Sequence, residues 1–220
     1  MHALEVHELY RFFHIGDDET AALRGVSFHL SAGEIVALVG PSGSGKSTLL
    51  ACVTGLDEPD GGHVEVGGRR LTRRPETERT RIRAASFGIM LQSGNLFGHL
   101  TVEQNLRLQM QLARKPDETR IGVLLESVDL LHRAWAFPTE LSGGEAARAG
   151  LAVALAADPP ILVADEPTAE VDRDTEIRLI AHFEARRRGG LTTLIATHSK
   201  AVAFKADRII SLKDGRIDSE

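Results

Sequence analysis

The chain has 220 residues, of which 42% are hydrophobic, and this is enough to build one packed domain. Its 26 basic and 31 acidic residues give a formal net charge of -5, which disfavours general binding to the phosphate backbone of nucleic acids. The longest strongly apolar stretches, 35–39 and 149–157, are well short of the ~20 residues that cross a bilayer, so no segment is predicted to span a membrane.

The beginning of the chain and its single cysteine each support one expectation. The first five residues contain no basic segment leading into an apolar run of the kind a secretory signal requires, so we expect the protein to stay in the cytosol. The single cysteine, Cys52, cannot form an internal disulfide, and its apolar neighbours favour a packed thiol without a chemical role.

Two types of β-structure are predicted along the chain. The first thirty residues and the stretch 61–90 carry alternating patterns and the turn pair Gly67-Gly68, which indicates a small antiparallel β lobe. Short β-rich runs at 35–39, 161–164 and 192–196 are typical of fully buried strands. Because these runs alternate with helical segments, they predict a mostly parallel sheet that binds ligands beyond the carboxyl ends of its strands.

The remaining segments are predicted to be a helical lobe and a closing hairpin. Strand patterns vanish between about 93 and 157, where Thr101 with Gln104 reads as a capping box and apolar residues recur at helical spacing over 121–128. The segment 208–217, with Asp214-Gly215 at its turn, reads as a hairpin. Without repeats or proline-rich linkers, residues 1–220 are expected to form a single domain.

A glycine-rich motif lies between the strand 35–39 and an apolar helical run. Its residues are Gly40, Pro41, Ser42, Gly43, Ser44, Gly45, Lys46, Ser47 and Thr48. This is the setting of a P-loop, in which backbone N–H groups and the positive end of a helix bind phosphates. Lys46 would add a charge near the β- and γ-phosphates, Ser47 a ligand for Mg²⁺, and Thr48 further phosphate contacts. The alternative is an ordinary glycine-rich turn.

Two carboxylates and a histidine follow the next buried strands. The strand 161–164 ends in Asp165 and Glu166, which point in different directions because they are adjacent. Asp165 is the better candidate for holding Mg²⁺, and Glu166 for acting on the attacking water as base or orienting group. The strand 192–196 leads to His198 at the same sheet edge. The alternative for the acids is a strand that ends in a polar turn.

A second motif precedes the helical run 146–157. It reads Leu141-Ser142-Gly143-Gly144-Glu145, and by spacing alone Ser142 and Glu145 form a capping box. A plain cap does not need two glycines in the first helical turn, where each costs up to ~1 kcal/mol relative to alanine. A close approach of the backbone to a phosphate would justify them.

With this motif the chain resembles the ABC ATPase family, whose LSGGQ/E signature lies between the P-loop and the Asp-Glu strand, as it does here. The resemblance covers essentially the whole chain, and the stretches 22–28 and 207–217 look like those of the LolD, MacB and FtsE type of export and lipoprotein-release ATPases. It implies a P-loop NTPase (RecA-like) core and an ATP-hydrolysing subunit that dimerises, with itself or a related domain, around two Mg-ATP. It further implies a membrane permease as partner, and a cytoplasmic position at the inner face of the membrane reached only through that permease.

The resemblance also assigns roles to individual residues. Ser142, Gly143, Gly144 and Glu145 would contact the ATP of the partner subunit, while Asp172 closes the D-loop 169–172. Further roles would fall to Phe13 in stacking on adenine, Gln92 in sensing Mg²⁺ and the water, and His198 as switch histidine. An alternative for Phe13 is packing in the core, since Tyr10 and Phe12 crowd beside it.

Other features leave alternatives open. The stretch 93–100 would help to receive a coupling helix of the permease, although its apolar residues Leu96, Phe97 and Leu100 could instead pack into the helical lobe. The arginine run 186–188 is typical of a solvated face.

The chain departs from its relatives near two motifs. Ala146-Ala147 and Val153 stand where relatives commonly have two glutamines and an arginine, and Ser199 stands where an aspartate is usual. These changes keep open the alternative of a weakly hydrolysing or non-hydrolysing regulatory subunit of a membrane complex. A soluble ABC protein that acts on DNA or ribosomes and a P-loop kinase fit the sequence less well.

Overall fold

A computed structural model of the protein describes residues 2–15, 18–169 and 171–219. Within them the chain forms ten strands and seven α-helices. In chain order these are β1 (His2–Ile15), β2 (Asp18–Ser31), β3 (Ile35–Val39), α1 (Lys46–Val53), β4 (Gly61–Val66), β5 (Arg69–Arg70), α2 (Glu76–Ser86), β6 (Phe87–Met90), α3 (Val102–Leu112), α4 (Glu118–Ser127), α5 (Gly143–Leu155), β7 (Ile161–Asp165), α6 (Arg173–Arg188), β8 (Thr192–Ala196), α7 (Lys200–Lys205), β9 (Arg208–Lys213) and β10 (Arg216–Ser219).

The central sheet has the strand order β10-β9-β3-β8-β7-β6, and all its neighbouring strands pair in parallel except β9 with β10. Residues of β7 alternate between two cores, with Leu162 and Ala164 on one face and Ile161 and Val163 on the other. Both faces are therefore buried, as expected for strands that read as continuous apolar runs. The prediction of a mostly parallel α/β core is confirmed.

A second, antiparallel sheet has the order β2-β1-β4-β5 and shares a core with α1 and one face of the central sheet. Cys52 lies in α1 within this core and is fully buried, and burial raises the pKa of its thiol to about 12. The predicted packed, inert cysteine thus agrees with the structure.

The prediction of an antiparallel lobe was wrong for part of the stretch 61–90. Residues Glu76–Ser86 form α2, and β6 joins the central sheet beside β7. The helix buries none of its residues, so the sequence carries no apolar stripe that would reveal it. Instead, Glu76 in its first turn pairs with Arg79 and Arg83 along the exposed face.

Helices α3, α4 and α5 pack together against the side of the central sheet that includes Leu162. Thr101 and Gln104 form the predicted capping box at the start of α3, with each side chain bonded to the other residue's backbone N–H. The predicted helical spacing over 121–128 is also confirmed, since Ile121, Leu124 and Leu125 are buried in this core. The assignment of the whole chain to a single domain stays a prediction.

The predicted closing hairpin is formed by β9 and β10, and its turn helps to build the site. The backbone N–H of Gly215 donates to Ser44 O at 3.1 Å, and its carbonyl accepts from Arg24 N at 2.8 Å. The turn therefore ties the glycine-rich loop to β2. Across the described ranges, no helix is long and apolar enough to cross a membrane.

Candidate active site

A cleft of about 940 Å³ opens at the carboxyl ends of β3, β7 and β8. The sequence predicted most of its lining, because the carboxyl ends of parallel strands meet at one edge of a sheet. The predicted residues that line it are Phe13, Ser42, Gly43, Gly45, Lys46, Ser47, Thr48, Gln92, Asp165, Glu166 and His198. Motifs that are far apart in the sequence thus converge on one cavity.

The glycine-rich loop connects β3 to α1, and its glycines are required by the packing of the loop itself. Gly45 precedes α1 with φ at 103°, and a Cβ there would lie 2.5 Å from Ala22 O of β2. A Cβ on Gly40 would lie 2.1 Å from Leu212 O of β9. The loop is therefore pressed between β2 and β9, and only residues without a side chain fit at these two positions.

Lys46 is nearly buried at the first position of α1, with 8% of its surface exposed. Its ammonium group donates to Gly40 O at 2.9 Å and to Pro41 O at 3.2 Å, so it lies inside the curve of the loop. The hydroxyl Oγ of Ser44 is also buried, and no hydrogen-bond partner for it lies within the described ranges. A buried cation among loop amides at a helix start is suited to bind a phosphate group.

Asp165 and Glu166 lie where β7 ends. The Oδ1 atom of Asp165 is buried and has no hydrogen-bond partner among the residues that the structure describes. Glu166 has a positive φ of 48°, which turns it out of the strand direction, and its Oε2 accepts from the backbone N–H of His198 at 3.1 Å. Of the two acids, Glu166 therefore bonds the segment that carries His198, and the division of roles between them stays a prediction.

The ring of His198 lies between a cation and an anion. Its Nε2 is 3.3 Å from Lys46 Nζ and also 3.3 Å from Glu166 Oε1, and the latter contact lacks hydrogen-bond geometry. A charged lysine can only donate, so the contact with Lys46 requires a lone pair on Nε2, whereas a bond to Glu166 would require a proton there. The imidazole can satisfy only one of these neighbours at a time.

The lining of the cleft also includes an aromatic side chain. Phe13 of β1 lines the cleft with 39% of its surface exposed, and the guanidinium of Arg11 lies 4.7 Å from the ring centroid. Arg11 is held by Asp57 at 2.7 and 3.1 Å and by Asp60 at 3.1 Å. These carboxylates raise the pKa of Arg11, with Asp57 contributing most, so the cation beside Phe13 is permanent.

Of the three aromatic residues that crowd this strand, Phe13 is the one that reaches the cleft. Tyr10 covers Gly25 and Gly61, where a Cβ would lie 2.8 and 3.1 Å from its side chain, and its ring stacks on Phe12. The structure therefore does not place Phe13 in the core.

Gln92 lies two residues after β6 and borders both the cleft and a second cavity of about 300 Å³. The second cavity is also lined by Ala146 and Ala147. In the neighbouring segment Leu96 packs against the helical core, whereas Phe97 is 55% exposed. Leu96 thus packs into the helical core, as the alternative for this stretch predicted, and the contact of residues 93–100 with a permease stays a prediction.

The signature residues 142–145 do not line the cleft. Ser142 and Glu145 form the predicted capping box of α5, and Arg133 donates to Glu145 at 3.0 Å. The backbone N–H of Ser142, followed by Arg133, lowers the pKa of Glu145 to about 2. Gly144 lies close to α6 of its own chain, since a Cβ would be 3.0 Å from Thr175 Oγ1. The close packing against Thr175 therefore explains a glycine at position 144 without any contact to a phosphate.

Asp172 also lies outside the cleft, at the start of α6. It accepts from Thr175 N at 2.9 Å, and this bond lowers the pKa of its carboxyl. Of the predicted D-loop 169–172, Glu170 lies outside the described residues. Sequence reasoning did not assign to the site several further lining residues that the fold brings in, namely Thr20, Ala21, Ala22, Arg24, Thr168, Ala169, Ser199, Asp214 and Gly215.

Comparison with known proteins identifies the family. A family model described as ABC transporter matches residues 23–169, which include the glycine-rich loop, the signature and the Asp-Glu pair. The chain belongs to the ABC transporter family. It is an ATP-binding subunit of this family and an ATPase.

Curated relatives agree with this assignment over most of the chain. The chain is 37% identical over 219 residues to the lipoprotein-releasing system ATP-binding protein LolD 2 of Caulobacter vibrioides, covering 98% of this chain and 96% of the relative. An uncharacterized ABC transporter ATP-binding protein of Mycobacterium tuberculosis is 38% identical over 209 residues, covering 93% and 84%. The methionine import ATP-binding protein MetN of Brucella abortus is 39% identical over 222 residues, covering 99% of this chain and 59% of MetN.

Solved ABC cassettes have the same fold. The dimeric structure of the bacterial ABC transporter cassette MJ0796 superposes with a TM-score of 0.94 at 31% identity, covering 98% of this chain and 97% of the cassette. A second dimeric structure of MJ0796, in a post-hydrolysis state bound to ADP and Pi, matches equally well.

Proposed function

We propose that two copies of this chain, or one copy and a related subunit, close around two Mg-ATP and drive a separate membrane permease of the export or lipoprotein-release type. The proposal rests on the observation that the phosphate-binding residues and the signature residues lie in different places on the chain. Lys46, Glu166 and His198 meet in one cleft, whereas the signature residues 142–145 lie outside it. A second subunit is needed to bring a signature to the phosphates.

The cleft has groups that fit a magnesium ion. Within the described part of the chain, the buried Oδ1 of Asp165 has no hydrogen-bond partner, and Ser47 and Gln92 line the same cavity. Within the described ranges no three His, Cys, Asp or Glu side chains gather as a metal site, so phosphate oxygens and water would complete the coordination. When bound, the ion would neutralise phosphate charge.

The chain's own residues supply the remaining chemistry. A γ-phosphate offers Lys46 a charged acceptor in place of the carbonyl oxygens of Gly40 and Pro41. Once Lys46 turns to the phosphate, Nε2 of His198 no longer needs to accept from it. The imidazole can then take the tautomer whose proton has moved from Nδ1 to Nε2 and donate a hydrogen bond to Glu166 or to the phosphate, while Glu166 orients the water for in-line attack.

The permease would contact the surface beside Gln92. Phe97 and Leu91 are exposed there, although both belong to a segment that otherwise packs on the helical core. An exposed apolar surface adjoining the nucleotide cleft is suited to a partner that must respond to ATP. The similarity to LolD 2 over almost the whole of both chains supports the lipoprotein-release type, and the position at the inner membrane face follows from the permease.

The alternative of a subunit that binds ATP without hydrolysing it has weaker support. It rests on Ala146, Ala147 and Ser199, whereas Lys46, Glu166 and His198, whose side chains contact one another in the cleft, are all present. The family's ATPase activity argues against it as well.

The test combines mass in solution with phosphate release. We expect Glu166→Gln to shift from monomer to dimer on addition of Mg-ATP, because the dimer forms but its nucleotide is not hydrolysed. The wild type should release phosphate, and Glu166→Gln should lose nearly all of this activity. Glu126→Gln, the same change at an exposed residue of α4, should behave as the wild type. A Glu166→Gln protein that remains monomeric at saturating Mg-ATP would refute the sandwich.

A further inference from the structure

Ser199, which stands where relatives commonly have an aspartate, contacts an acid from another helix. Its hydroxyl donates to Glu176 Oε1 at 2.6 Å. Glu176 lies in the first turn of α6, and both side chains are partly buried. An acid is therefore present beside residue 199, although it comes from a position 23 residues earlier in the chain.

The same hydroxyl also caps α7. Ser199 Oγ accepts from Val202 N at 3.3 Å, so its one proton goes to Glu176 and its lone pair to the helix. The backbone N–H of Ser199 donates to Thr197 Oγ1 at 2.9 Å. On the other side, the backbone N–H of His198 donates to Glu166. The peptide that carries the imidazole is thus held between Glu166 and the Ser199–Glu176 pair.

We propose that Glu176 is a positioning residue for hydrolysis, which acts through Ser199 to hold His198 beside Glu166. It takes over, from α6, the acidic position that relatives commonly have directly after the switch histidine. The inference rests on the role proposed above for His198. It concerns how the imidazole is held, and not whether the cleft binds ATP.

These contacts require a side chain at residue 199 that both donates and accepts a hydrogen bond. An aspartate there can still cap α7, because Asp and Ser are equally good N-cap residues. It cannot donate to Glu176, however, and would place a second carboxylate at hydrogen-bond distance from the first, where like charges repel. Restoring the residue that relatives carry should therefore displace His198 in this chain, and neutralising Glu176 should correct the defect.

A double-mutant cycle in the full chain tests whether residue 199 must donate to Glu176. For Ser199→Asp we expect kcat for ATP hydrolysis to fall roughly tenfold to a hundredfold, as for a misplaced catalytic group, with KM for ATP within about twofold of wild type. Glu176→Gln, which keeps an acceptor for Ser199, should lose less than about threefold, and the double variant should return to about this level. Asp174→Asn removes a charge from the same helical turn and should have no effect, since Asp174 is exposed.

A second readout does not depend on turnover. The imidazole ¹H–¹⁵N signals of His198, assigned by their loss in His198→Gln, should shift in nucleotide-free Ser199→Asp and return toward the wild-type position in the double variant. The positioning role would be overturned if the His198 signals do not move in Ser199→Asp. It would also be overturned if kcat of the double variant is no higher than that of Ser199→Asp. If no variant hydrolyses ATP, but the His198 signals still shift in Ser199→Asp and return in the double variant, the proposed hydrolytic function would fail. The conclusion that Glu176 places His198 would stand.

Discussion

The close approach of the glycine-rich loop to β2 can be measured with two alanine substitutions. Gly45 and Gly43 both have a positive φ, 103° and 77° respectively, so alanine at either position is strained. They differ in their surroundings, because a Cβ on Gly45 would lie 2.5 Å from Ala22 O, whereas a Cβ on Gly43 would meet nothing within 4 Å. Gly43→Ala therefore serves as the control for backbone strain alone.

The expected magnitudes follow from these two contributions. A left-handed backbone costs an alanine roughly 1–2 kcal/mol, and this applies to both variants. Forcing an extra carbon into a packed contact costs about 1–3 kcal/mol more, and this applies to Gly45→Ala only. The free energy of unfolding should fall by about 2–5 kcal/mol for Gly45→Ala against about 1–2 kcal/mol for Gly43→Ala. At about 2–4 °C per kcal/mol for a chain of this size, the first variant should show the distinctly larger loss in Tm.

Urea unfolding of the nucleotide-free protein, followed by circular dichroism, measures the free energy of unfolding directly. Nucleotide is left out because its binding would add stability that differs between the variants. Equal losses for the two substitutions would show that the carbonyl of Ala22 yields to the added carbon, and would refute the view that the loop is pressed against β2.

Two further predictions concern Arg11, beside Phe13 in the cleft, and Glu145, in the signature. Arg11→Met should raise KM for ATP about twofold to fivefold with kcat unchanged, because the ring of Phe13 loses the cation beside it, while Arg69→Met on the same sheet should change neither value. A loss confined to kcat would contradict this. The pKa of Glu145 is lowered from 4.5 to about 2, so its contribution to stability is complete above pH 4.5 and is lost as the pH falls toward 2. The difference in unfolding free energy between wild type and Glu145→Gln should shrink over this window, and a difference independent of pH would count against the predicted linkage.

The cleft could be predicted from the sequence because its chemistry lies at the ends of buried strands. The runs before Gly40, Asp165 and Thr197 are short, apolar and rich in β-branched residues, and parallel strands bring such ends together whatever the lengths of the connections. The polar residues that follow each strand therefore had to share one edge. The capping boxes that start α3 and α5 were predictable for a similar reason, since they depend on residues three apart.

Elements whose stability does not depend on a local pattern could not be predicted. Helix α2 has no buried residue, so no apolar periodicity marks it. Arg186 belongs to a run that reads as a solvated face, but it is 8% exposed and donates to Pro159 O at 3.0 Å. Burial lowers its pKa to about 10. The carbonyl that it bonds lies 27 residues away, and nothing near Arg186 in the sequence indicates it.

The first turn of α6 shows most clearly what the fold adds to the motifs. Thr175 Oγ1 accepts from Arg148 of the signature helix at 3.2 Å and donates to Asp172 at 2.9 Å, and Gly144 lies against the same hydroxyl. One residue further, Glu176 accepts from Ser199 beside the switch histidine. A single helical turn therefore contacts two parts of the molecule. One is the signature, which is expected to bind the partner's ATP. The other is the segment that carries His198, which lines the nucleotide cleft of the same subunit. Arg148, which follows Ala146-Ala147, makes the connection to the signature helix through its bond to Thr175.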